Sequence, residues 1–471
     1  LFLSEILQKE NVMTTANAAV QPQWSSRLMF IIAATGAAVG LGNIWKFPYI
    51  MGQNGGGAFM LMYLLCILLI GIPVLMAEVM IGRRGRQSPG LSVKALAIEA
   101  KVNPLWQIAG WMGLVGGFLI LSFYSVIAGW AFAYVSKAAQ NSFAGQSASD
   151  IGAMFGQFSA DLSSLLLWTT LVIVLTCVVV ARGVKQGLEQ VIRWMMPALY
   201  LLLIGLAIYA GLTGDFAKAV HFMFAPDFSK LSVSGMLIAL GHAFFTLSLA
   251  SGVMITYGAY MPGRVSIART SIWIALADTS VALIAAMVIY PIVFAHNLDA
   301  GQGPGLIFVT LPVAFGQMPG GQLVGTLFFV MLVFAAFTST IAMIESVVAW
   351  LTQAKGFSRV RACVLSGIVL WCLSLLTVFS FSGASWTQWQ FHFVGKEVNN
   401  LFEIIDHLTS DIMLPLGGLA IAIFAGWKVQ RHASREELNT SPVAYSIWLF
   451  CIRWFTPVAI VAVFLNLTGV L

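Results

Sequence analysis

Apolar runs of about 20 residues or more, each long enough to cross a bilayer core as a helix, recur near 27–51, 57–82, 105–137, 162–181, 188–211, 231–260, 268–296, 322–354, 358–379, 397–427 and 443–468. These eleven runs, numbered here as spans 1 to 11, predict an all-α polytopic membrane protein. Span 1 breaks its own pattern. Ala34-Thr35-Gly36-Ala37-Ala38-Val39-Gly40-Leu41-Gly42-Asn43 places glycines, small side chains and an amide where a spanning helix should be most hydrophobic. Gly costs roughly 1 kcal/mol per helical position relative to Ala. Freed backbone groups at that depth are tolerated only where protein or a wet cavity satisfies them. The segment reads as a helix broken at the bilayer midplane, its carbonyls suited to a cation and its second half, starting near Gly42, aiming N–H groups at an anion. Span 6 repeats the device with Gly241-His242-Ala243-Phe244-Phe245-Thr246-Leu247-Ser248-Leu249-Ala250-Ser251-Gly252.

Two broken spans, each heading five, suggest an internal duplication. Five is odd, so the second unit inserts upside-down, which is a 5+5 inverted repeat with the breaks facing each other. The expected organisation is a cytoplasmic lead over 1–26, repeats over 27–211 and 231–427, and one additional C-terminal span over 443–468. The lead shows no signal-peptide pattern, and the residues before Met13 read as a start-site artefact. With the N-terminus inside and the C-terminus outside, about nineteen of the 24 Lys and Arg fall in cytoplasmic segments, the bias expected of that orientation. The outer loops 138–161 and 297–321 are longer. The second runs through Pro304, Gly305, Leu306, Pro312 and Phe315, apolar but too short to span, and is expected to fold as a lid or re-entrant hairpin.

Composition narrows the class. At 59% hydrophobic and 9% charged, with mean hydropathy +0.90, the chain is not an ordinary soluble enzyme. Nor does it carry an intramembrane enzyme's signature: there is no His-Glu-x-x-His, and the six histidines offer no pair at metal-binding spacing. The net charge of +6 reflects loop placement rather than a nucleic-acid partner. Cys66, Cys177, Cys363, Cys372 and Cys451 lie in apolar runs, odd in number, and are expected as buried thiols without a disulfide.

Small-residue runs are also how membrane helices pack, so either break alone is as well read as a packing surface. Convergence favours a site. Asn43, Thr246, Asp278, Thr338 and Ser339 are all hard oxygen donors at midplane depth, a set suited to a hard cation. Asp278 is ionisable within a span, which costs at least roughly 2.5 kcal/mol and makes function the default reading.

Trp24-Ser25-Ser26-Arg27-Leu28, Ala38 to Pro48, and Asn54-Gly55-Gly56-Gly57-Ala58-Phe59 resemble the start of the neurotransmitter:sodium symporter family, typified by the bacterial leucine transporter. Similar stretches recur at Arg182-Gly183-Val184, Phe244 to Leu249, Ile255-Thr256-Tyr257, Thr310-Leu311-Pro312 and Phe337-Thr338-Ser339. The resemblance runs from about Trp24 to the end, within an eleven-span bacterial branch. It implies the leucine-transporter fold in a bacterial inner membrane and sodium-coupled import of a neutral, hydrophobic L-amino acid by alternating access, with amino acid, sodium and lipid as partners and no nucleic acid. A proton-coupled or sodium-independent exchanger, with His242 or Asp278 titrating, and a non-transporting sensor are the alternatives.

Carried over, the family's first sodium site falls on Ala38, Asn43, Thr246 and Asp278, and its second on Gly36, Val39, Ala335, Thr338 and Ser339. Its substrate pocket falls on Ala38, Gly42, Ile120, Tyr124, Phe245, Thr246, Ser248, Ser251, Ser339 and Met343. The implied outer gate comprises Lys46, Asp406, Tyr124 and Phe245, and the inner closure Trp24, Tyr260 and Glu345. Several positions depart from the family pattern. Gly40 stands where monoamine carriers have aspartate, which favours amino acids. Lys46 replaces the usual arginine and offers no bidentate fork. The inner-gate ion pair is replaced by Gln21 and Gln353, so no charge is orphaned. Ser251 replaces a bulky aromatic and opens the pocket. Ala282 replaces the leucine transporter's glutamate one turn beyond Asp278, which itself stands for asparagine; the compensating negative charge has moved into the sodium shell, and no chloride is expected.

Overall fold

The computed structural model describes residues 22–263, 265–298 and 305–467. Among these residues, nine helices are long and apolar enough to cross a membrane, and a tenth span is the pair Arg27–Ala38 and Gly42–Gln53, bent by 53°. The remaining predicted span, 231–260, is no single helix. It divides into Val233–Thr246 and Val253–Ala259, so every apolar run has a helical counterpart.

Each break has a local cause. In span 6, Ser248, Ala250 and Gly252 all have positive φ, at 51°, 58° and 77°; the left-handed region costs an L-residue with a Cβ roughly 1–2 kcal/mol. Hydrogen bonds from span 2 and within the break offset that cost. The Ala250 N–H donates to the buried Glu78 carboxylate at 2.6 Å, and Ser251 Oγ donates to the Ser248 carbonyl at 2.6 Å. In span 1 the Gly40 N–H, which would close the next turn onto Gly36, donates instead to Asn43 Oδ1 at 3.0 Å. The Leu41 N–H donates to the Tyr124 hydroxyl, also at 3.0 Å. The chain then resumes as a wide turn over Gly42–Lys46.

Around the breaks, Gly321–Lys355 (span 8) packs along Gln107–Ala139 (span 3), and the inner piece of span 6 packs against Ile72–Gly85 of span 2. That second contact is close: a Cβ on Gly82 would lie 1.9 Å from the Ile255 carbonyl oxygen. Arg83 and Arg84, at the end of span 2, pair with Glu437, Glu436 and Glu99, tying Arg431–Leu438 to that end. The Arg84 guanidinium holds the Glu99 carboxyl below its usual range.

The connections before span 10 and after span 3 differ from expectation. A two-stranded hairpin, Gln388–Phe393 with Lys396–Asn400, occupies the segment before span 10 and pairs Phe391 with Val398. Span 10 therefore starts at Leu401 rather than 397. The 138–161 loop contains the capped helix Ala148–Ala160. In 297–321 the apolar stretch forms Leu306–Gln317, with Phe308 buried against Trp130 and Tyr134, while Pro304 lies outside the described residues. The lead 1–21, with Gln21, also lies outside them. The five cysteines are free, but Cys372 is exposed and Cys177 half-buried, contrary to uniform burial. An apolar thiol on a spanning helix is as well accommodated facing lipid.

Gly82→Ala should lower the thermal midpoint of the purified protein. The helix-propensity gain of about 1 kcal/mol is opposed by a backbone clash that only movement of the span 6 fragment can relieve, and overpacking of this kind costs about 1–3 kcal/mol. An unchanged or raised midpoint would contradict the packing.

Candidate functional site

The two breaks touch. Ser248 Oγ donates to the Ala37 carbonyl at 2.9 Å, and Asn43 Nδ2 donates to Thr246 Oγ1 at 2.9 Å and to Asp278 Oδ1 at 2.8 Å. Thr246 Oγ1 donates to Asp278 Oδ2 at 2.9 Å. Asp278 and Asn43 are fully buried. Among the described residues no basic side chain pairs with Asp278, so a carboxylate there is offset by neutral donors alone. A buried charge with only neutral partners and an amide, a hydroxyl and loosened carbonyls beside it suits a hard monovalent cation. No cluster of three or more His, Cys, Asp or Glu occurs among the described residues.

A second cluster lies across the break. Ser339 Oγ approaches the carbonyls of Val39 at 3.1 Å, Ala335 at 3.3 Å and Ala37 at 3.4 Å. Thr338 Oγ1 donates to Ala335 and Phe334 carbonyls at 3.1 Å. The Gly36 carbonyl loses its usual helical donor, because the Gly40 N–H turns to Asn43.

Between the clusters is a cavity with about 430 Å³ of atom-free space, and all ten residues predicted for the substrate pocket line it. Gly40 and Leu414 complete the lining. Sequence reading missed Leu414, because an apolar residue in an apolar span has no distinguishing mark. Gly40 stands in the sequence as one of the glycines of the break and for the aspartate it lacks. Its geometry supplies a reason: a Cβ would lie 2.6 Å from the Tyr124 hydroxyl and 2.8 Å from Ser339 Oγ. Glu78 was also missed, although an ionisable residue inside span 2 was a legible signal.

A second cavity of about 640 Å³ shares Gly42, Tyr124 and Phe245 with the first and continues past Lys46 to Phe402 and Asp406. Lys46 and Asp406, expected to face each other, both line it, but no ion pair joins them among the described residues. Lys46 Nζ sits 4.6 Å from the Phe245 ring centroid instead. At the opposite end Trp24 is buried; its backbone N–H donates to the Tyr260 carbonyl at 3.0 Å and its indole to the Tyr257 carbonyl at 3.1 Å. Tyr260 in turn donates to the buried Glu345 at 2.7 Å, which is paired with Arg359 at the start of span 9. Gln353 accepts from the Ser88 N–H at 2.6 Å. His242 is buried with neither ring nitrogen hydrogen-bonded, and it stacks on Phe47 at 5.7 Å and beside Tyr63 at 5.4 Å.

A family model described as the sodium:neurotransmitter symporter family matches residues 21–152 and 148–469. The chain belongs to that family. It is 37% identical over 453 residues to the uncharacterized sodium-dependent transporter YhdH of Bacillus subtilis, covering 95% of this chain and 98% of that one. An uncharacterized sodium-dependent transporter of Haemophilus influenzae is 30% identical, with 96% and 99% covered. The crystal structure of MhsT in complex with L-phenylalanine superposes with a TM-score of 0.86 at 40% identity, covering 94% of this chain and 99% of that one. The protein is accordingly a sodium-dependent symporter, multi-pass in the membrane, with the leucine-transporter fold.

In this symporter Tyr124→Phe should destabilise the break in span 1, because the Leu41 N–H loses its buried acceptor, a loss of about 1–3 kcal/mol. The expected readout is faster amide exchange at 36–46 in the purified protein, and exchange matching wild type would count against the hydrogen bond's role.

Proposed function

We propose that the protein imports a neutral, hydrophobic L-amino acid together with sodium by alternating access, without chloride. The observation that carries this reading is the buried Asp278 carboxylate, met only by Asn43 and Thr246, the second of which lines a largely apolar pocket. Thr246 belongs to both, so cation and amino acid would share a boundary. The amino acid bound in the MhsT crystal structure is phenylalanine, which supports the hydrophobic class.

On this reading Ala38, Asn43, Thr246 and Asp278 hold one sodium ion, and Gly36, Val39, Ala335, Thr338 and Ser339 a second. The half-helix after Gly42 presents N–H groups to the substrate carboxylate, while Ile120, Met343, Ser251 and Leu414 enclose its side chain. Tyr124 and Phe245, shared by the two cavities, are the rings that part on outward opening, and Lys46 and Asp406 line the entrance. Trp24, Tyr260 and Glu345 close the inward route. Each sodium ion moving down 100 mV contributes about 2.3 kcal/mol to the cycle. The moving unit is built from spans 1 and 6, heading the inverted halves 27–211 and 231–427, with 443–468 appended and 1–26 as the cytoplasmic lead. The N-terminus lies in the cytoplasm and the C-terminus outside a bacterial inner membrane, as the basic loops favour.

Binding of L-phenylalanine to purified protein should require sodium rather than choline, and Asp278→Asn or Thr246→Ala should weaken sodium and amino acid together, roughly tenfold, because coupling is reciprocal. Replacing chloride by gluconate should leave wild-type uptake unchanged, whereas Asp278→Asn with Ala282→Ser should acquire a chloride requirement. Equal binding in choline, or uptake into sodium-free proteoliposomes driven by a proton gradient, would overturn the reading.

Pocket size makes a separate prediction. Ser251→Phe returns an aromatic to the wall and should shift competition from aromatic toward small aliphatic amino acids. Unchanged competition by both tryptophan and leucine would show that Ser251 does not set the size limit.

A further inference from the structure

The inner end of span 1 must move if the pocket is to open toward the cytoplasm, yet the two positions that would carry an ion pair there are glutamine. Gln353 is engaged by the Ser88 N–H. The described chain nevertheless meets a buried charge at its first helical turn. Glu189, the first residue of Glu189–Thr213 in span 5, is 2% exposed, and its Oε1 accepts the Ser25 N–H at 2.7 Å. Ser25 immediately precedes Ser26, whose hydroxyl caps the helix Arg27–Ala38 by accepting the Met29 N–H at 3.1 Å. The carboxylate therefore sits at the positive end of the moving half-helix, where an anion is favoured by the backbone dipoles.

Its location is fixed from the other side. The wide turn Val184–Leu188 leads into Glu189, and an added Cβ on Gly187 would lie 2.0 Å from the Val179 carbonyl oxygen. The start of span 5 thus lies directly on the end of Leu162–Ala181. Among the described residues the cation paired with Glu189 is Arg193, 62% exposed and 3.9 Å from Glu189 Oε2, too exposed and distant to satisfy the carboxylate alone. Trp24, one residue earlier, is held by carbonyls of the inner half of span 6. Consecutive residues are therefore clamped by two different spans, one through neutral groups and one through a charge.

We propose that Glu189 is the positioning residue that holds the inner end of span 1 shut, its charge taking the role of the missing gate pair. The inference rests on the alternating-access reading, since opening is what the clamp opposes. Removing the charge weakens a charge-assisted hydrogen bond to a backbone donor that moves on opening, so the closed state loses stability while the pocket itself is untouched.

The test is hydrogen–deuterium exchange on the full-length protein in lipid nanodiscs, in sodium chloride without amino acid, following residues 22–38 with residues 321–355 as reference. Glu189→Gln, which keeps an acceptor and loses the charge, should speed exchange in 22–38 roughly tenfold. Glu189→Ala should speed it further, and Arg193→Ala should change little. L-Phenylalanine affinity should fall in parallel in the Glu189 variants. Exchange in 22–38 equal to wild type in both Glu189 variants would overturn the proposal, as would an equal rise in 321–355, which marks general loosening. Because the exchange is read without amino acid, a wild-type protein that fails to bind phenylalanine would sink the transport reading separately.

Discussion

The structure depends on satisfying backbone groups that two helices give up in the middle of a membrane. At that depth an unpaired N–H or C=O costs several kcal/mol, so each break is possible only where side chains replace the helical partners. The replacements are specific: Asn43 for Gly40, Tyr124 for Leu41, Glu78 for Ala250, and Ser248 reaching the Ala37 carbonyl. Each donor or acceptor comes from the break itself, from the facing break or from a span packed against it. The polar groups that make the breaks affordable are thereby gathered at one place, beside a largely apolar cavity.

Much of this was legible because the constraint is written in residue types. Glycine, Asn, Ser and Thr in the middle of apolar runs are conspicuous, and Asp278 inside span 7 is more so. The site residues themselves came from the family resemblance, and the structure brings the ten expected of the substrate pocket around one cavity, with Asn43 and Asp278 joined to it through Thr246. What was not legible falls into two kinds. Leu414 reaches the pocket through the tertiary position of span 10, and nothing local distinguishes it from its apolar neighbours. The Arg359 pairing with Glu345 and the Glu189 contact with Ser25 join residues distant in sequence or separated by a helix end, where charge looks like ordinary loop composition. The hairpin before span 10 escaped for another reason: Gln388 to Phe393 alternates polar and aromatic residues, a period-two pattern hidden beside runs read only for length.

On the proposed reading the two ends of the pocket are closed by different physics. Toward Lys46 the barrier is a pair of rings, Tyr124 and Phe245, with an ammonium over one of them. Such a cation–π contact contributes about 0.5–2 kcal/mol, and rings turn without breaking backbone hydrogen bonds. Toward Trp24 the barrier is chiefly main chain: the Trp24 and Ser25 N–H groups donate to Tyr260 and Glu189, and the Trp24 indole donates to the Tyr257 carbonyl. Opening that end exchanges several buried hydrogen bonds for water at once. The side-chain barrier is the softer of the two, so this arrangement favours a state from which the outer route opens more readily than the inner.

Asp278 bears on how such an asymmetry is overcome. A carboxylate held by two neutral donors in a dry site carries most of its desolvation cost uncompensated, and Asn43 and Thr246, which hold it, also belong to the broken segments. On the proposed reading a sodium ion entering there removes that cost and adds attraction between spans 1, 6 and 7. An ion that binds equally in both conformations would shift neither. Coupling therefore requires that the ligand set be complete in only one of them. Asn43 rides on span 1, Thr246 on span 6 and Asp278 on span 7, so any displacement of the first two relative to the third dismantles the set. The geometry that makes the buried charge tolerable is thus the same geometry that makes its occupancy sensitive to conformation.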